Sequence, residues 1–276
     1  MLKQRVISAA ILLPVVIALF VVGGWAYSAL VVVATLVASL EYVRMFRRKG
    51  YRISVVLVGL ACLAWEAGGL WPQLGLSAQF VTLVVLATTV WELLQARADP
   101  QRLNPTEQWA MTLAGGTYLG LGGMYLVRLR AMSDGLWWTL SACLIVWIGD
   151  SAAYFAGRRW GRHKMAPTIS PGKSWEGYAA QVASGLVSGI ALGWLWPALG
   201  VQVSTITIWR ALLLGGVVSV LCPAGDFIVS LMKREVGVKD TSTLIPGHGG
   251  VFDRIDSLLW AGMLGYLLIQ LFASPV

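Results

Sequence analysis

The sequence predicts an all-α, polytopic integral membrane protein with about nine transmembrane helices and polar loops on the cytoplasmic face. Three observations carry that prediction. The chain has 276 residues, 57% hydrophobic and only 12% charged, whereas soluble domains carry roughly 25% charged residues. Apolar runs of the roughly 20 residues needed to cross a hydrocarbon core recur at 6–24, 27–46, 53–71, 76–95, 108–127, 137–156, 178–197, 207–229 and 257–273. The formal charge of +8 is also distributed by side. With nine spans, all of the 21 basic residues except Arg128, Arg130 and Arg210 fall at the N-terminus or in loops after even-numbered spans. The positive-inside rule then sets the N-terminus in the cytoplasm and the C-terminus outside. It also accounts for the basic excess without nucleic acid.

The first run follows Lys3 and Arg5 but exceeds a signal-peptide core in length, so it reads as an uncleaved first helix. The loop after the second run, Arg44–Arg52, is a basic topology anchor that attracts anionic headgroups. Asn104-Pro105-Thr106-Glu107 reads as a helix start, with Asn104 as cap and Pro105 in the first helical position. Gly120-Leu121-Gly122-Gly123 follows no strand and lies inside an apolar run, so it is not a nucleotide loop. Gly185, Gly189 and Gly193 form a small-residue stripe for close helix approach, and a homodimer is one expected use of it. Trp71, Trp137, Trp138, Trp196 and Trp209 lie toward span ends, where indoles anchor at the interface. Cys62, Cys143 and Cys222 stand singly in apolar runs and read as core residues. Glu41, Glu66 and Glu92 are single carboxylates near span ends, expected to be solvated or paired with a base. The division expected along the chain is 1–100, about four N-terminal helices, and 101–276, a catalytic membrane region.

Two polar islands break the apolar pattern, and charge near a bilayer is expensive enough to mark function. The first runs from Asp150 to Gly177, and its glycines and prolines argue against one continuous helix. Arg158, Arg159, Arg162, Lys164 and Lys173, with Ser170, Ser174 and amides near Gly172, suit a phosphate group ahead of a helix start. The second island extends through Ser230–Asp256. Pro223 should interrupt the eighth span, after which Asp226, Ser230, Lys233 and Arg234 fall on one helical face. Asp253 and Asp256 stand three apart beyond a Pro246-Gly247-His248-Gly249-Gly250 turn. Asp226, Asp253 and Asp256 on one membrane side, without clustered Cys or His, suit Mg2+ shared with substrate phosphates. Asp253 also reads as a helix N-cap, which is compatible with that role.

These residues resemble the signature of the phosphatidate cytidylyltransferases, or CDP-diacylglycerol synthases. Ser230, Lys233, Arg234, Lys239, Asp240, Pro246, His248, Gly249, Gly250, Asp253, Arg254 and Asp256 occupy its fixed positions. Asp150, Tyr154, Gly157, Gly161, Lys164, Pro167, Ser170, Pro171, Lys173, Trp175, Glu176 and Gly177 are similar to the family upstream. Gly172 departs from it where many relatives carry a basic residue, which leaves that phosphate contact either missing or supplied by Lys173 alone. The resemblance is specific over the last half of the chain; the first half matches only as a set of spans.

The resemblance implies a nucleotidyltransferase of the bacterial inner (plasma) membrane, serving phospholipid biosynthesis. It would convert CTP and phosphatidic acid to CDP-diacylglycerol and pyrophosphate among membrane lipids. Mg2+ is the implied cofactor, with a second cation by analogy with other phosphate-transfer sites. Asp226, Asp253 and Asp256 are the implied metal ligands, and Lys233 and His248 join them as catalytic residues. Lys164, Ser170, Lys173, Ser230, Arg234, Lys239 and Arg254 are the implied substrate contacts; Lys239 and Asp240 read equally well as a structural pair. The rival reading is an ion-coupled transporter using Asp150, Asp226 and Glu41, against which the polar groups gather in islands and no inverted repeat is apparent.

Overall fold

The computed structural model describes residues 2–75, 77–99 and 104–273. Its helices are α1 (Leu2–Val22), α2 (Gly24–Arg47), α3 (Val55–Leu70), α4 (Ser77–Ala98), α5 (Pro105–Ala131), α6 (Gly135–Trp160), α7 (Trp175–Ala198), α8 (Ile208–Leu221), α9 (Pro223–Glu235) and α10 (Phe252–Ala273). Each of the nine apolar runs lies on a helix, and the eighth breaks at Cys222, directly before Pro223. Among the described residues six helices are long and apolar enough to cross a membrane: Gly24–Arg47, Ala78–Ala98, Gly135–Trp160, Trp175–Ala198, Ile208–Glu235 and Phe252–Phe272. Leu12–Val22 and Val55–Leu70 are shorter apolar helices. The protein is a helical membrane protein, with one feature outside the expected class: a two-stranded antiparallel hairpin, β1 (Lys164–Ala166) and β2 (Ser170–Ser174).

The chain forms two compact units that interleave in sequence. The first comprises Met1–Val127 with Val236–Arg254, the second Arg128–Glu235 with Ile255–Val276. In the first unit, glycines on α5 let it lie against α2 and α3. A Cβ on Gly120 would stand 2.5 Å from the Cys62 carbonyl oxygen, one on Gly116 would strike Ala61, and one on Gly115 would strike the Tyr42 ring. The glycine-rich run thus serves helix packing. Pro105 opens α5 as expected, but Asn104 has φ 52°, the left-handed region, unlike the extended backbone of an ordinary N-cap.

In the second unit α7 and α8 pack through the Gly185, Gly189 and Gly193 stripe. The added Cβ atoms would meet Ser219, the Ala211 backbone and Ile208 respectively. The stripe thus serves close helix packing within the unit, as its spacing anticipates. Trp138, Ile145, Leu214, Val218 and Ala261 lie at the centre of the hydrophobic core. Trp138 and Trp196 are buried there, correcting their reading as interfacial anchors; their indole N–H groups donate to Thr205 Oγ1 (2.8 Å) and Ser141 Oγ (2.9 Å). Trp71 and Trp209 remain exposed. All three cysteines are buried and free.

The loop at Asp134 closes this core. Its carboxylate Oδ2 accepts from the Ser204 and Thr205 amides at 2.8 and 2.6 Å and from both hydroxyls at 3.3 and 2.8 Å. Partial desolvation works to raise the Asp134 pKa, but these hydrogen bonds outweigh it and hold the carboxyl below its ordinary range.

Candidate active site

The first polar island is only partly a loop. Helix α6 continues through Asp150 to Trp160, and the chain then turns into the hairpin. Glycine makes that turn fit: a Cβ on Gly177 would lie 2.8 Å from the Ala153 carbonyl oxygen and one on Gly161 2.6 Å from Ser174 Oγ. Ser174 ends β2 and caps α7, its hydroxyl accepting from the Gly177 amide at 3.2 Å. The hairpin pairs Lys164 with Ser174 and Ala166 with Ser170. It presents Lys164 to solvent and leaves Ser170 and Lys173 half-buried.

The hairpin docks on α9. Lys173 Nζ lies 2.9 Å from Asp226 Oδ2 and 3.8 Å from the centre of the Phe227 ring, and Arg234 Nε donates to the Ile169 carbonyl at 3.2 Å. Ser230, one turn beyond Asp226, donates to Asp226 Oδ1 at 3.1 Å. Lys233 follows on the same helix, with 8% of its surface exposed. The face expected from spacing is present, and each oxygen of Asp226 has a donor on it.

Helix α10 brings a second carboxylate to this face. Gly225 lies so close to α10 that an added Cβ would stand 2.5 Å from the Asp256 carbonyl oxygen and 2.7 Å from Trp260 Cδ1. Asp256 is 7% exposed and within electrostatic reach of Asp226, Lys233 and Asp150. Asp150, on α6, is exposed and accepts from Gln181 Nε2 at 3.1 Å. Asp226 and Asp256, 30 residues apart in the sequence, are thus neighbours across the α9–α10 contact.

The remaining expected site residues, Lys239, His248, Asp253 and Arg254, belong to the first unit. His248 occupies a tight turn: the Ile245 amide donates to the Gly249 carbonyl and the His248 amide to the Ile245 carbonyl, both at 2.9 Å. Gly247 (φ 77°) and Gly249 (φ 83°) supply the left-handed backbone that turn requires. Asp253 Oδ2 accepts from the Thr241 amide (2.8 Å), the Thr241 hydroxyl (2.9 Å) and the Gly250 amide (3.0 Å). Asp253 lies within the first turn of α10, which begins at Phe252, so it is not the N-cap it was read as; its carboxylate instead ties the helix start to Thr241 and Gly250. Lys239, Asp240 and Arg254 are exposed.

One residue of this unit has a partner set that sequence reasoning missed. Glu41, on α2, is 2% exposed. Its donors are Ser242 Oγ and the amides of Val251 and Phe252, far along the chain, with Thr241 Oγ1 3.2 Å away. It is neither solvated nor paired with a base, as had been expected. Glu66 is likewise buried, accepting from the Thr35 hydroxyl at 2.6 Å. A lone acid within an apolar run was the available signal for both.

Among the described residues no group of three or more His, Cys, Asp or Glu side chains is arranged to hold a metal ion. Asp226 and Asp256 nevertheless offer hard oxygen donors of the kind Mg2+ takes when phosphates complete its shell. The Lys173 ammonium at Asp226 Oδ2 shows that this carboxylate accommodates a cation. The donor set therefore fits a hard divalent ion shared with a phosphate ligand.

Comparison with known proteins agrees with the sequence signature. Residues 3–272 match the profile of the cytidylyltransferase family. A phosphatidate cytidylyltransferase of Staphylococcus haemolyticus is 30% identical over 274 residues, covering 98% of this chain and all of the relative. The protein of that name from Mycobacterium tuberculosis is 31% identical, over 93% of this chain and 79% of its own. The one from Haemophilus influenzae is 32% identical, over 94% and 95%.

Proposed function

Because the chain belongs to the cytidylyltransferase family and is a nucleotidyltransferase enzyme, we propose that it transfers CMP from CTP to phosphatidic acid. The products are CDP-diacylglycerol and pyrophosphate. The names of the near-full-length relatives support the substrates. The observation that carries the chemistry is the α9–α10 contact, where Asp226 and Asp256 adjoin Lys173, Lys233 and Ser230. The distribution of basic residues supports nine spans with the N-terminus and this site at the cytoplasmic face of the inner membrane. A soluble polyanion and a lipid confined to the bilayer can both reach a site so situated.

In the reaction a phosphate oxygen of the lipid attacks the α-phosphorus of CTP. A new P–O bond forms there, the bond to the bridging oxygen of the β-phosphate breaks, and pyrophosphate leaves with its charge. The nucleophile is already anionic near neutral pH, so no proton need be removed. The protein's task is to hold two mutually repelling anions in line and to neutralise the leaving group. Lys173, Lys233 and Arg234 supply positive charge along α9 and the hairpin, joined by Lys164, Lys239 and Arg254 from exposed positions. Ser170 and Ser230 donate neutral hydrogen bonds, and His248 hydrogen-bonds phosphate. Asp226 and Asp256 would hold Mg2+, while the Asp253 carboxylate is occupied by Thr241 and Gly250. The chemistry such an ion would supply there is neutralisation of charge on the triphosphate and polarisation of the pyrophosphate leaving group.

Incubation of the purified, lipid-reconstituted protein with radiolabelled CTP and phosphatidic acid tests the reading. Labelled lipid is expected with Mg2+ and none without it. A protein that consumes no CTP, or makes no labelled lipid with Mg2+ present, overturns the proposal.

A further inference from the structure

Glu41 is a buried carboxylate on α2, in the half of the chain that carries no part of the family signature. Its two oxygens divide the donors of one loop between them. Oε1 accepts from Ser242 Oγ at 2.6 Å and from the Val251 amide at 3.0 Å. Oε2 accepts from the Phe252 amide at 2.8 Å and lies 3.2 Å from Thr241 Oγ1. The Thr241 hydroxyl has a single proton, which Asp253 Oδ2 takes at the shorter distance of 2.9 Å; Ser242, Val251 and Phe252 are therefore Glu41's constant donors. Gly250 fits between them only because it lacks a side chain, since a Cβ there would strike both the Thr241 hydroxyl and the Glu41 carboxylate.

The donors sit at both ends of the segment 241–252, which contains the His248 turn. Phe252 is the first residue of α10, so its amide is one of those a helix N-terminus leaves unsatisfied. A carboxylate at that end also meets the positive pole of the helix. Glu41 thus caps α10 from another helix while its other oxygen holds the loop's opposite end at Ser242. A buried anion with only neutral donors is expensive unless all of them are in place. The loop is accordingly held in one conformation.

The geometry points to Glu41 as a positioning residue for the transfer reaction: it clamps the 241–252 segment so that His248 and the start of α10 are preset before substrate arrives. This inference rests on the proposed cytidylyl transfer for its kinetic consequence, but the clamp itself can be read without turnover. Glu41→Gln keeps the side-chain shape, but whichever way its amide is turned the N–H2 faces the Val251 or the Phe252 amide N–H, neither of which can accept from it. In full-length protein reconstituted in nanodiscs, Glu41→Gln should lower kcat at least tenfold at saturating CTP. KM for phosphatidic acid should stay within twofold. Hydrogen exchange at the Val251 and Phe252 amides should accelerate at least tenfold, with exchange in α7 and α8 unchanged.

Ser242→Ala removes one donor at the loop surface and leaves Glu41 in place, so it remains informative if Glu41→Gln fails to fold. It should lower kcat about threefold. Combined with Glu41→Gln it should cost less than twofold more, because the clamp to which its bond belongs is already released. Turnover and loop exchange within twofold of wild type in Glu41→Gln would overturn the proposal. So would an unfolded Glu41→Gln beside a Ser242→Ala that changes neither turnover nor exchange. Wild-type protein that makes no labelled lipid defeats the reaction assignment instead; the exchange measurement then decides the clamp alone.

Discussion

Replacing Gly225 with alanine would set a methyl carbon 2.5 Å from the Asp256 carbonyl oxygen and 2.7 Å from Trp260 Cδ1. Ordinary contact begins near 3.4 Å, so α9 and α10 must separate locally by about 0.9 Å. The obstructing atom is backbone and cannot rotate aside. Overpacking of this kind costs about 1–3 kcal/mol, which leaves a membrane protein of this size foldable. Its effect on turnover should be larger, since a displacement of about 1 Å between catalytic groups costs on the order of 100-fold in rate. The assay is labelled-lipid formation over a Mg2+ titration, with thermal stability recorded in parallel. Gly225→Ala should lose about 100-fold in kcat and need more Mg2+ for half-maximal rate, as Asp226 and Asp256 move apart. Gly216→Ala is the matched control, because its methyl would stand 3.3 Å from Leu186 Cδ2, the end of a flexible side chain, and activity should stay within twofold. A Gly225→Ala enzyme within threefold of wild type would show that the α9–α10 contact does not set the site.

Asp226→Asn should abolish near-normal product formation even at saturating Mg2+; retained activity would remove Asp226 as a metal ligand. Lys233→Ala should lose at least tenfold in turnover or CTP affinity, about 1.4 kcal/mol, and unchanged kinetics would count against its phosphate role. The Asp134 carboxyl is held below its ordinary pKa by Ser204 and Thr205, so it favours the folded state fully above about pH 4. That contribution is lost as pH falls through the depressed value. The thermal midpoint of the wild type should drop toward that of Asp134→Asn as the solution is acidified below about pH 4; a difference that stays constant with pH would refute the assignment.

The helices were legible because hydropathy is a property of whole segments and survives ignorance of tertiary contacts. The break before α9 was legible for a local reason, the missing amide and ring clash of Pro223. The hairpin was not. Its strands of three and five residues are too short for alternation to show, and Ser170-Pro171-Gly172 reads as loop. The extension of α6 to Trp160 was hidden by the same charges that marked the island as polar. Burial of Trp138 and Trp196 could not be told from interfacial placement, since each indole N–H is satisfied by a hydroxyl from a distant residue. In the site, the common face of Asp226, Ser230 and Lys233 follows from helical spacing alone. The adjacency of Asp256 depends on Gly225, whose lack of a side chain carries no partner name in the sequence. The Glu41 contacts span about 200 residues, beyond any periodicity.

A division of the chain after residue 100 would keep every position of the family signature on one polypeptide, from Asp150 to Asp256. Such a fragment would nonetheless discard Glu41, leaving the Val251 and Phe252 amides without the acceptor that now receives them. The N-terminal helices are therefore more than an anchor to be trimmed away. A minimal enzyme made from the conserved-looking half should need α2 supplied as a separate peptide, and should regain ordered structure around His248 when it is.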